Sequence, residues 1–266
     1  MMTRRQFLGA GSALVAAACA PVVSGLYDSA PLDDPVLGRC AYSGRFPGSW
    51  IYEESDYIRA FFEPGDLALY RQTIPSPLVM PERPMVRVSV IDFYRMAYGP
   101  AYRESEISLL ALHGHQRGWF LLTMPLTDGD ACLGGRTRLG TPKVMRRVTL
   151  ERGADRYVGT SFGWGGRVTD FTLTVDVGEL DEAGRDVLRV ALLPYLTLLE
   201  GRVLQFGGFT RSLEEVERAG DLTLRHGHAR LEFPREPANL LHRLGVGRPL
   251  AAHWARLRLR YSITPR

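Results

Sequence analysis

The primary amine of Lys143 is the side chain of this sequence best suited to nucleophilic chemistry. Lysine and arginine together number 33, and Lys143 is the one lysine among them. An arginine guanidinium stays protonated, whereas a lysine amine can lose its proton and attack a carbonyl carbon. A leftover surface residue in an arginine-biased sequence explains the same count, so the surrounding residues have to decide between the two interpretations.

The residues before Lys143 form a motif. Stretch 135–143 reads GRTRLGTPK, which resembles the Gly-Arg, five residues, Pro-Lys signature of the acetoacetate decarboxylase family. Upstream, MVRV at 85–88 resembles a strand of that family, and YRES at 102–105 resembles the segment that carries an active-site glutamate. The resemblance runs from about residue 57 to residue 162. It implies an α+β fold in which a curved antiparallel β-sheet (a cone or barrel) with a few helices surrounds an internal cavity.

The resemblance also implies roles for individual residues. Lys143 forms a Schiff base with the substrate carbonyl, and Glu104 assists proton transfer or orientation. Arg136 either binds a substrate carboxylate through its bidentate fork or pairs with an acid. Tyr102 and Tyr261 are candidates for hydrogen bonds in the cavity, although an aromatic residue on a strand usually belongs to the core. The implied partners are a small keto acid and further copies of the chain, and no diffusible cofactor is needed.

Amine catalysis of decarboxylation follows from the chemistry. The amine attacks the carbonyl of a β-keto acid, and the protonated imine accepts the electrons released when carbon dioxide leaves. The amine must be partly neutral near pH 7, although the pKa of an unperturbed lysine is about 10.4. Burial and neighbouring cations lower the pKa of a lysine, a form of activation known from acetoacetate decarboxylase itself. Four arginines lie near Lys143 in the sequence: Arg136, Arg138, Arg146 and Arg147.

Three positions depart from the family pattern. Val144 stands where a second lysine follows the Schiff-base lysine, Ser89 replaces a second glutamate, and Ser55 replaces an arginine that binds substrate. Two alternatives to a decarboxylase therefore stay open. One is a Schiff-base aldolase-dehydratase of the same family, and the other is a catalytically silent lipoprotein that binds a small ligand.

The N-terminus indicates export. Arg4 and Arg5 precede a small apolar run of about a dozen residues, which is too short to span a bilayer and is typical of a twin-arginine signal peptide. Ala16 to Cys19 resembles a lipoprotein cleavage box, so we expect a lipid on Cys19 that anchors the chain to a membrane, in the periplasm or cell envelope. Ordinary cleavage after an Ala-x-Ala site is the alternative.

Composition and spacing bound the remaining classes. Apolar residues make up 45% and charged residues 23%, which is typical of a folded globular chain. The net charge of +4 is spread among acids without a basic run, so we expect no nucleic-acid partner. We divide the chain into a signal peptide (1–18), a tether with an irregular lead-in (19–49) and one domain (50–266). Cys40 and Cys132 can form a disulfide in an oxidising compartment, but their spacing does not decide it.

Short runs rich in Val, Ile, Tyr and Phe predict a mainly antiparallel β-sheet. The expected strands are 57–62, 85–93, 107–112, 119–124, 144–150, 157–162, 168–175, 195–199, 222–225, 229–233 and 253–263. The expected helices are 66–71, 181–193 and 238–244, and stretch 211–219 is either helix or loop. A His-Gly-His tripeptide occurs at 113–115 and again at 226–228. Each tripeptide can hold a metal or form a hairpin tip, and we favour the hairpin and predict no metal site.

Overall fold

The computed structural model describes residues 31–44, 50–208, 215, 218–258 and 261–262, the last two for their backbone alone. The strands are β1 (Ile51–Phe62), β2 (Val86–Tyr98), β3 (Tyr102–His113), β4 (Gln116–Leu126), β5 (Lys143–Met145), β6 (Val148–Arg152), β7 (Arg156–Phe162), β8 (Thr169–Val177), β9 (Tyr195–Leu199), β10 (Arg202–Phe206), β11 (Leu222–Glu232), β12 (Pro249–Leu257) and β13 (Tyr261–Ser262). The helices are α1 (Leu67–Thr73), α2 (Gly129–Leu139), α3 (Glu182–Leu188) and α4 (Leu240–Arg243).

The strands of the described residues form one curved sheet. Its order is β10-β9-β4-β3-β2-β1-β12-β11-β8-β7-β6, with β13 on β1 and β5 on β4. Neighbours are antiparallel except that β5 and β9 both run parallel to β4. The predicted fold class, a curved and mainly antiparallel sheet with few helices, is confirmed. The sheet is mixed and stays open, because β10 and β6 end it without pairing to each other.

The two faces of β1 to β4 differ in character because successive side chains point to opposite sides. Residues such as Ile58, Val90 and Leu109 lie on the face that we call the packing face, within the largest apolar cluster. The opposite face, which we call the polar face, carries Arg59 and Glu104 between two smaller apolar clusters. A continuous apolar core therefore stabilises one side of the sheet and leaves the other side for polar groups.

The sheet curls so that β6 to β8 pack on the packing face. A Cβ on Gly159 of β7 would lie 2.6 Å from Val90 Cγ2 of β2, so glycine is needed at this close approach. Beside it, Ser105 Oγ donates to Ser161 Oγ at 2.9 Å and joins β3 to β7. These contacts hold the curvature that positions the polar face.

Most predicted elements are present with longer strands, and the bounds of three predicted elements need correction. The predicted strand 144–150 is two strands, β5 and β6, and the predicted helix 181–193 ends at Leu188 in α3. The run 253–263 is also two strands, β12 and β13. Helix α2 and strand β10 were not predicted. Most of 211–219 lies outside the described residues.

The two His-Gly-His tripeptides have different structures. Gly114 forms the β3–β4 turn with φ 59°, so the hairpin predicted for 113–115 is confirmed. The hairpin predicted at 226–228 is wrong, because the tripeptide lies inside the continuous strand β11. A Cβ on Gly227 would lie 2.5 Å from the carbonyl oxygen of Asp176, so this glycine admits a neighbouring strand. Across the described ranges no group of three or more His, Cys, Asp or Glu is placed to hold a metal ion.

The described part of the lead-in is fastened to the domain. Cys40 and Cys132 form a disulfide, with a Cα–Cα distance of 5.3 Å, that joins residues 31–44 to α2. Arg146 Nη2 donates to the carbonyl oxygen of Pro31 at 3.0 Å. Residues 1–30, with the predicted signal peptide and Cys19, lie outside the described residues. In the part of the chain that the structure describes, no helix is long and apolar enough to cross a membrane.

Candidate active site

Lys143 and Glu104 form a buried pair on the polar face. Lys143 begins β5, which runs parallel to β4, and Glu104 lies on the adjacent β3. The Nζ atom of Lys143 lies 2.9 Å from Glu104 Oε2, and only 6% of Lys143 and 4% of Glu104 are exposed. The amine also lies 5.6 Å from the centre of the Tyr102 ring. The sequence motif therefore places its amine in the protein interior against a carboxyl group.

Burial changes the proton affinity of Glu104. Removal from water raises the pKa of the Glu104 carboxyl, and the charge of Glu106 raises it further, while Lys143 opposes both effects. A carboxyl group with a raised pKa takes up a proton more readily than an ordinary glutamate does. Glu104 is therefore suited to take a proton from Lys143 Nζ and to return it.

Helix α2 and the turn after it position Lys143. Asp128 caps the start of α2 by accepting a hydrogen bond from Ala131 N at 2.7 Å. Gly140 ends the helix with φ 62°, a left-handed conformation that glycine adopts without steric cost. Arg136 on the same helix donates from Nη1 to the carbonyl oxygen of Lys143 at 2.9 Å.

Gly135 gives the Lys143 side chain its space. A Cβ at this position would lie 2.5 Å from Lys143 Cδ and 2.7 Å from its Cε, closer than real Cβ contacts. The glycine of the sequence motif therefore lies against the stem of the amine.

We expect Gly135→Ala to lower the rate of Schiff-base formation about 10²-fold, since small misplacement of a reacting group costs this much. Alanine in a helix interior otherwise stabilises a protein by about 0.5–1 kcal/mol relative to glycine. Borohydride trapping rates measured beside thermal melts check this. Thr137→Ala, at an exposed site on the same helix, is the control. A wild-type trapping rate in Gly135→Ala would contradict the assigned packing.

A second cluster of polar and charged side chains lies on the same face as the Lys143–Glu104 pair. Arg87 Nη2 is 3.2 Å from Glu106 Oε2, and the Tyr195 hydroxyl donates to the other oxygen of Glu106 at 2.7 Å. Arg59 Nη2 donates to the same tyrosine hydroxyl at 3.2 Å. The polar face therefore carries two carboxylates and three basic side chains among β1, β2, β3 and β5.

His253 is a buried histidine on β12 at the same level of the sheet. It is 2% exposed, it pairs across the strands with Arg59, and its ring stacks on Phe61 at 6.1 Å between centroids. Burial lowers the pKa of His253 well below its usual 6.5, and the charges of Arg59, His226 and Arg87 lower it further. The imidazole is therefore neutral at physiological pH.

The lowered pKa of His253 makes the free energy of unfolding depend on pH. Below pH 6.5 the unfolded chain binds a proton at His253, whereas the folded chain does not. The free energy of unfolding therefore falls as the pH falls. Above pH 6.5 neither state binds this proton. We expect His253→Gln to remove that slope, by up to about 1.4 kcal/mol per pH unit.

Urea unfolding of the wild type and of His253→Gln between pH 7.5 and 5 measures how the free energy of unfolding depends on pH. Asp170 acts with the opposite sign in part of this range, because burial raises its pKa to about 6. The comparison between the two proteins cancels that contribution. Equal slopes in the wild type and His253→Gln would contradict a neutral buried histidine.

The predicted site residues are brought together in part. Lys143, Glu104 and Tyr102 lie together, and the Tyr102 hydroxyl is 2.9 Å from that of Tyr52. Arg136 contacts the main chain of Lys143, and its role in binding substrate stays a prediction. The side chain of Tyr261 lies outside the described residues.

The positions that depart from the family pattern are all buried. Ser55 Oγ donates to the Tyr57 hydroxyl at 3.0 Å, and Ser89 lies on the polar face between Arg59 and Glu106. Val144 is 1% exposed.

Cations near Lys143 in the sequence do not surround its amine. Arg146 turns to the lead-in, and Arg147 is exposed and stacks on Phe162 at 4.7 Å. The basic side chains on the polar face, Arg59 and Arg87, come from β1 and β2. Sequence reasoning missed both, together with Glu106, although their alternation with apolar neighbours is a signal that was available.

Comparisons of the sequence with known proteins find related proteins. Residues 52–264 match the family model of acetoacetate decarboxylase. A stretch of 82 residues, 31% of this chain, is 32% identical to decarboxylase DEC1 of Cochliobolus heterostrophus and spans about a third (32%) of that relative.

Solved structures show the same fold. Acetoacetate decarboxylase from Legionella pneumophila superposes with a TM-score of 0.63 at 16% identity, over 93% of this chain and 97% of that one. An enduracididine biosynthesis enzyme, MppR, complexed with pyruvate, superposes with a TM-score of 0.60 at 11% identity, over 82% of this chain and 89% of that one. The family model covers most of the chain, so this chain belongs to the acetoacetate decarboxylase family.

Proposed function

We propose that this chain is a Schiff-base lyase that decarboxylates a β-keto acid through Lys143. The observation that carries the proposal is the buried contact of 2.9 Å between Lys143 Nζ and Glu104 Oε2. A neutral amine is the nucleophile that this chemistry requires, and a carboxyl group beside it can exchange the proton.

The pair can form a nucleophile without help from solvent. The charged pair and the neutral pair differ by one proton moved along a single hydrogen bond. Burial penalises two separate charges more than two neutral groups. The raised pKa of Glu104 lowers the free energy needed to reach the neutral pair, in which Lys143 carries the lone pair and Glu104 holds the proton.

The reaction then proceeds with Glu104 as the proton carrier. Lys143 Nζ attacks the keto carbon, and the resulting carbinolamine loses water with a proton from Glu104 to give an iminium. The bond to the carboxylate breaks, carbon dioxide leaves, and its electron pair forms an enamine. Protonation of the enamine carbon and hydrolysis of the iminium release the ketone and restore the amine.

Basic side chains on the polar face support the binding of an anionic substrate. Arg87 and Arg59 lie on the same face as Glu104, and their positive charge favours an anionic substrate. The apolar clusters at either end exclude water, which strengthens these interactions.

An aldolase-dehydratase is the second candidate. Its enamine would attack an aldehyde instead of taking up a proton, which uses the same amine. Ser89 and Ser55, in place of a family glutamate and a substrate-binding arginine, leave this candidate open. A ligand-binding protein without turnover is the third, and it predicts binding without an adduct.

Measurement of carbon dioxide release separates the three. We expect the protein to release carbon dioxide from at least one carboxyl-labelled 3-oxo acid, measured as labelled carbon dioxide in the headspace. Adduct formation without carbon dioxide, with a condensation product when an aldehyde is added, would favour the aldolase. No adduct with any keto acid would favour the binding protein and contradict the lyase.

We also propose that the chain is exported, carries a lipid on Cys19, and acts as a homo-oligomer. The Cys40–Cys132 disulfide supports export, because disulfides persist in oxidising compartments. Fractionation of cells, with mass analysis of the N-terminal peptide, tests it. An unmodified Cys19 in a cytoplasmic fraction would contradict the proposal.

A further inference from the structure

A row of five polar residues crosses the polar face. Strand pairing places Glu106 opposite Ser89, Ser89 opposite Arg59, Arg59 opposite His253, and His253 opposite His226. Directly paired residues point to the same side of a sheet. The row therefore runs without interruption across β3, β2, β1, β12 and β11.

Two buried polar atoms flank Arg59 in this row. Within the described structure, Ser89 Oγ and His253 Nδ1 have no hydrogen-bond partner, and the two residues are 0% and 2% exposed. Buried polar groups are nearly always hydrogen-bonded, so an unsatisfied pair at one place indicates a partner that binds there. The two atoms lie on opposite sides of the arginine, one strand away in each direction.

Fixed contacts orient the Arg59 guanidinium. Its Nη1 donates to the carbonyl oxygen of Ala191 at 3.3 Å, and its Nη2 donates to the Tyr195 hydroxyl at 3.2 Å. Its Cζ lies 4.7 Å from the centre of the Tyr57 ring. A guanidinium, a hydroxyl and a neutral imidazole together can donate several hydrogen bonds to a carboxylate.

The row is one step along the sheet from the reacting amine. Glu106 and Glu104 are two residues apart on β3, a spacing of about 6.7 Å. The carboxyl carbon of a β-keto acid lies two bonds, about 2.5 Å, from its keto carbon. When the keto carbon is at Lys143, the departing carboxyl carbon therefore lies within one such spacing of the amine, and the level of the row lies beyond it.

The chemistry argues for the same separation. The departing carboxylate becomes neutral carbon dioxide, so a guanidinium paired with it would stabilise the reactant more than the transition state. A carboxylate that stays in place throughout the reaction is bound equally well at every stage. An arginine anchor therefore suits a second carboxylate.

We propose that Arg59, Ser89 and His253 form a subsite for the distal carboxylate of a 3-oxo dicarboxylic acid. The substrate class rests on the proposed function, since it assumes that the keto carbon reacts at Lys143. The subsite itself binds a carboxylate whether or not turnover occurs.

Two substrate series test the subsite. The first compares acetoacetate with 3-oxoglutarate, 3-oxoadipate and 3-oxopimelate in kcat/KM and in borohydride trapping. The second measures calorimetric binding of glutarate and adipate, which have no keto group. The variants are Arg59→Met and Ser89→Ala, and Arg230→Met, a 60% exposed arginine on β11, is the control.

We expect wild-type protein to prefer one diacid over acetoacetate by at least 10-fold in kcat/KM. Arg59→Met should lower that preference about 10²-fold, chiefly by raising KM for the diacid. It should lower the affinity for the saturated diacid by a similar factor. Arg230→Met should leave the preference and the affinity unchanged. Should Arg59→Met not fold, Ser89→Ala, which removes only a hydroxyl, should lower the same preference about 5-fold.

The results separate this subsite from the proposed reaction. Trapping at Lys143 with no preference for diacids, or a preference that Arg59→Met and Ser89→Ala leave unchanged, would overturn the subsite and leave the lyase. Binding of saturated diacids that depends on Arg59, without trapping of any keto acid, would support the subsite and overturn the lyase.

Discussion

Lys143→Arg is expected to abolish catalysis while the protein stays folded. Arginine keeps a cation beside Glu104, so the buried pair is preserved, but a guanidinium does not lose its proton to become a nucleophile. We expect kcat for keto-acid turnover to fall by about 10⁵-fold or more, as for loss of other catalytic nucleophiles. Steady-state assays and thermal melts on the same samples measure both effects.

A second variant separates the loss of the amine from the loss of its charge. Lys143→Met leaves the Glu104 carboxyl buried without its cation, so it should also lower the free energy of unfolding by about 3–5 kcal/mol at neutral pH. Lys143→Arg should stay close to the wild type in stability. Turnover by Lys143→Arg within 10-fold of the wild type would exclude Lys143 as the nucleophile.

Glu104→Gln is expected to have the next largest effect. The amide still accepts a hydrogen bond from Lys143 Nζ, but it can neither take the proton from the amine nor return one to the carbinolamine. Loss of a general acid–base group costs about 10²–10⁴-fold, and we expect this range in kcat/KM. Burial raises the pKa of Glu104, so the pH–rate profile should lose the limb that this carboxyl group gives the wild type.

The control for Glu104→Gln is the same substitution at an exposed glutamate. Glu151 on β6 is exposed, and Glu151→Gln should leave the rate and its pH profile unchanged. An unchanged pH–rate profile in Glu104→Gln, with kcat/KM within 3-fold of the wild type, would show that another group carries the proton.

The resemblance to the family singled out both members of the buried pair, Lys143 and Glu104. The strand predictions near both residues were incomplete. The predicted strand 107–112 left out Glu104, and the predicted strand 144–150 is two strands, of which β5 begins at Lys143. The glycine of the motif has a physical reason that the sequence does not show, because Gly135 makes room for the stem of Lys143. The basic side chains of the polar face, Arg59 and Arg87, are distant from Lys143 in sequence, whereas Arg146 turns to the lead-in.

Residues that complete the polar face depend on strand register, which the sequence does not specify. His253 lies 194 positions after Arg59 in the numbering, and only the pairing of β12 with β1 brings them together. Gly227 signalled a turn, but its lack of a side chain serves the close approach of β8 to β11. Helix α2 contains two glycines in its interior, which obscured its helical character although Asp128 and Gly140 mark its ends.

Borohydride trapping at the single lysine tests the central claim most directly. The protein is incubated with acetoacetate, 3-oxoadipate or a β-diketone, reduced, digested and examined by mass spectrometry. We predict a reduced adduct on Lys143 in the wild type and none in Lys143→Arg. Full recovery of unmodified Lys143 with every keto compound, in protein that is folded, would contradict the account.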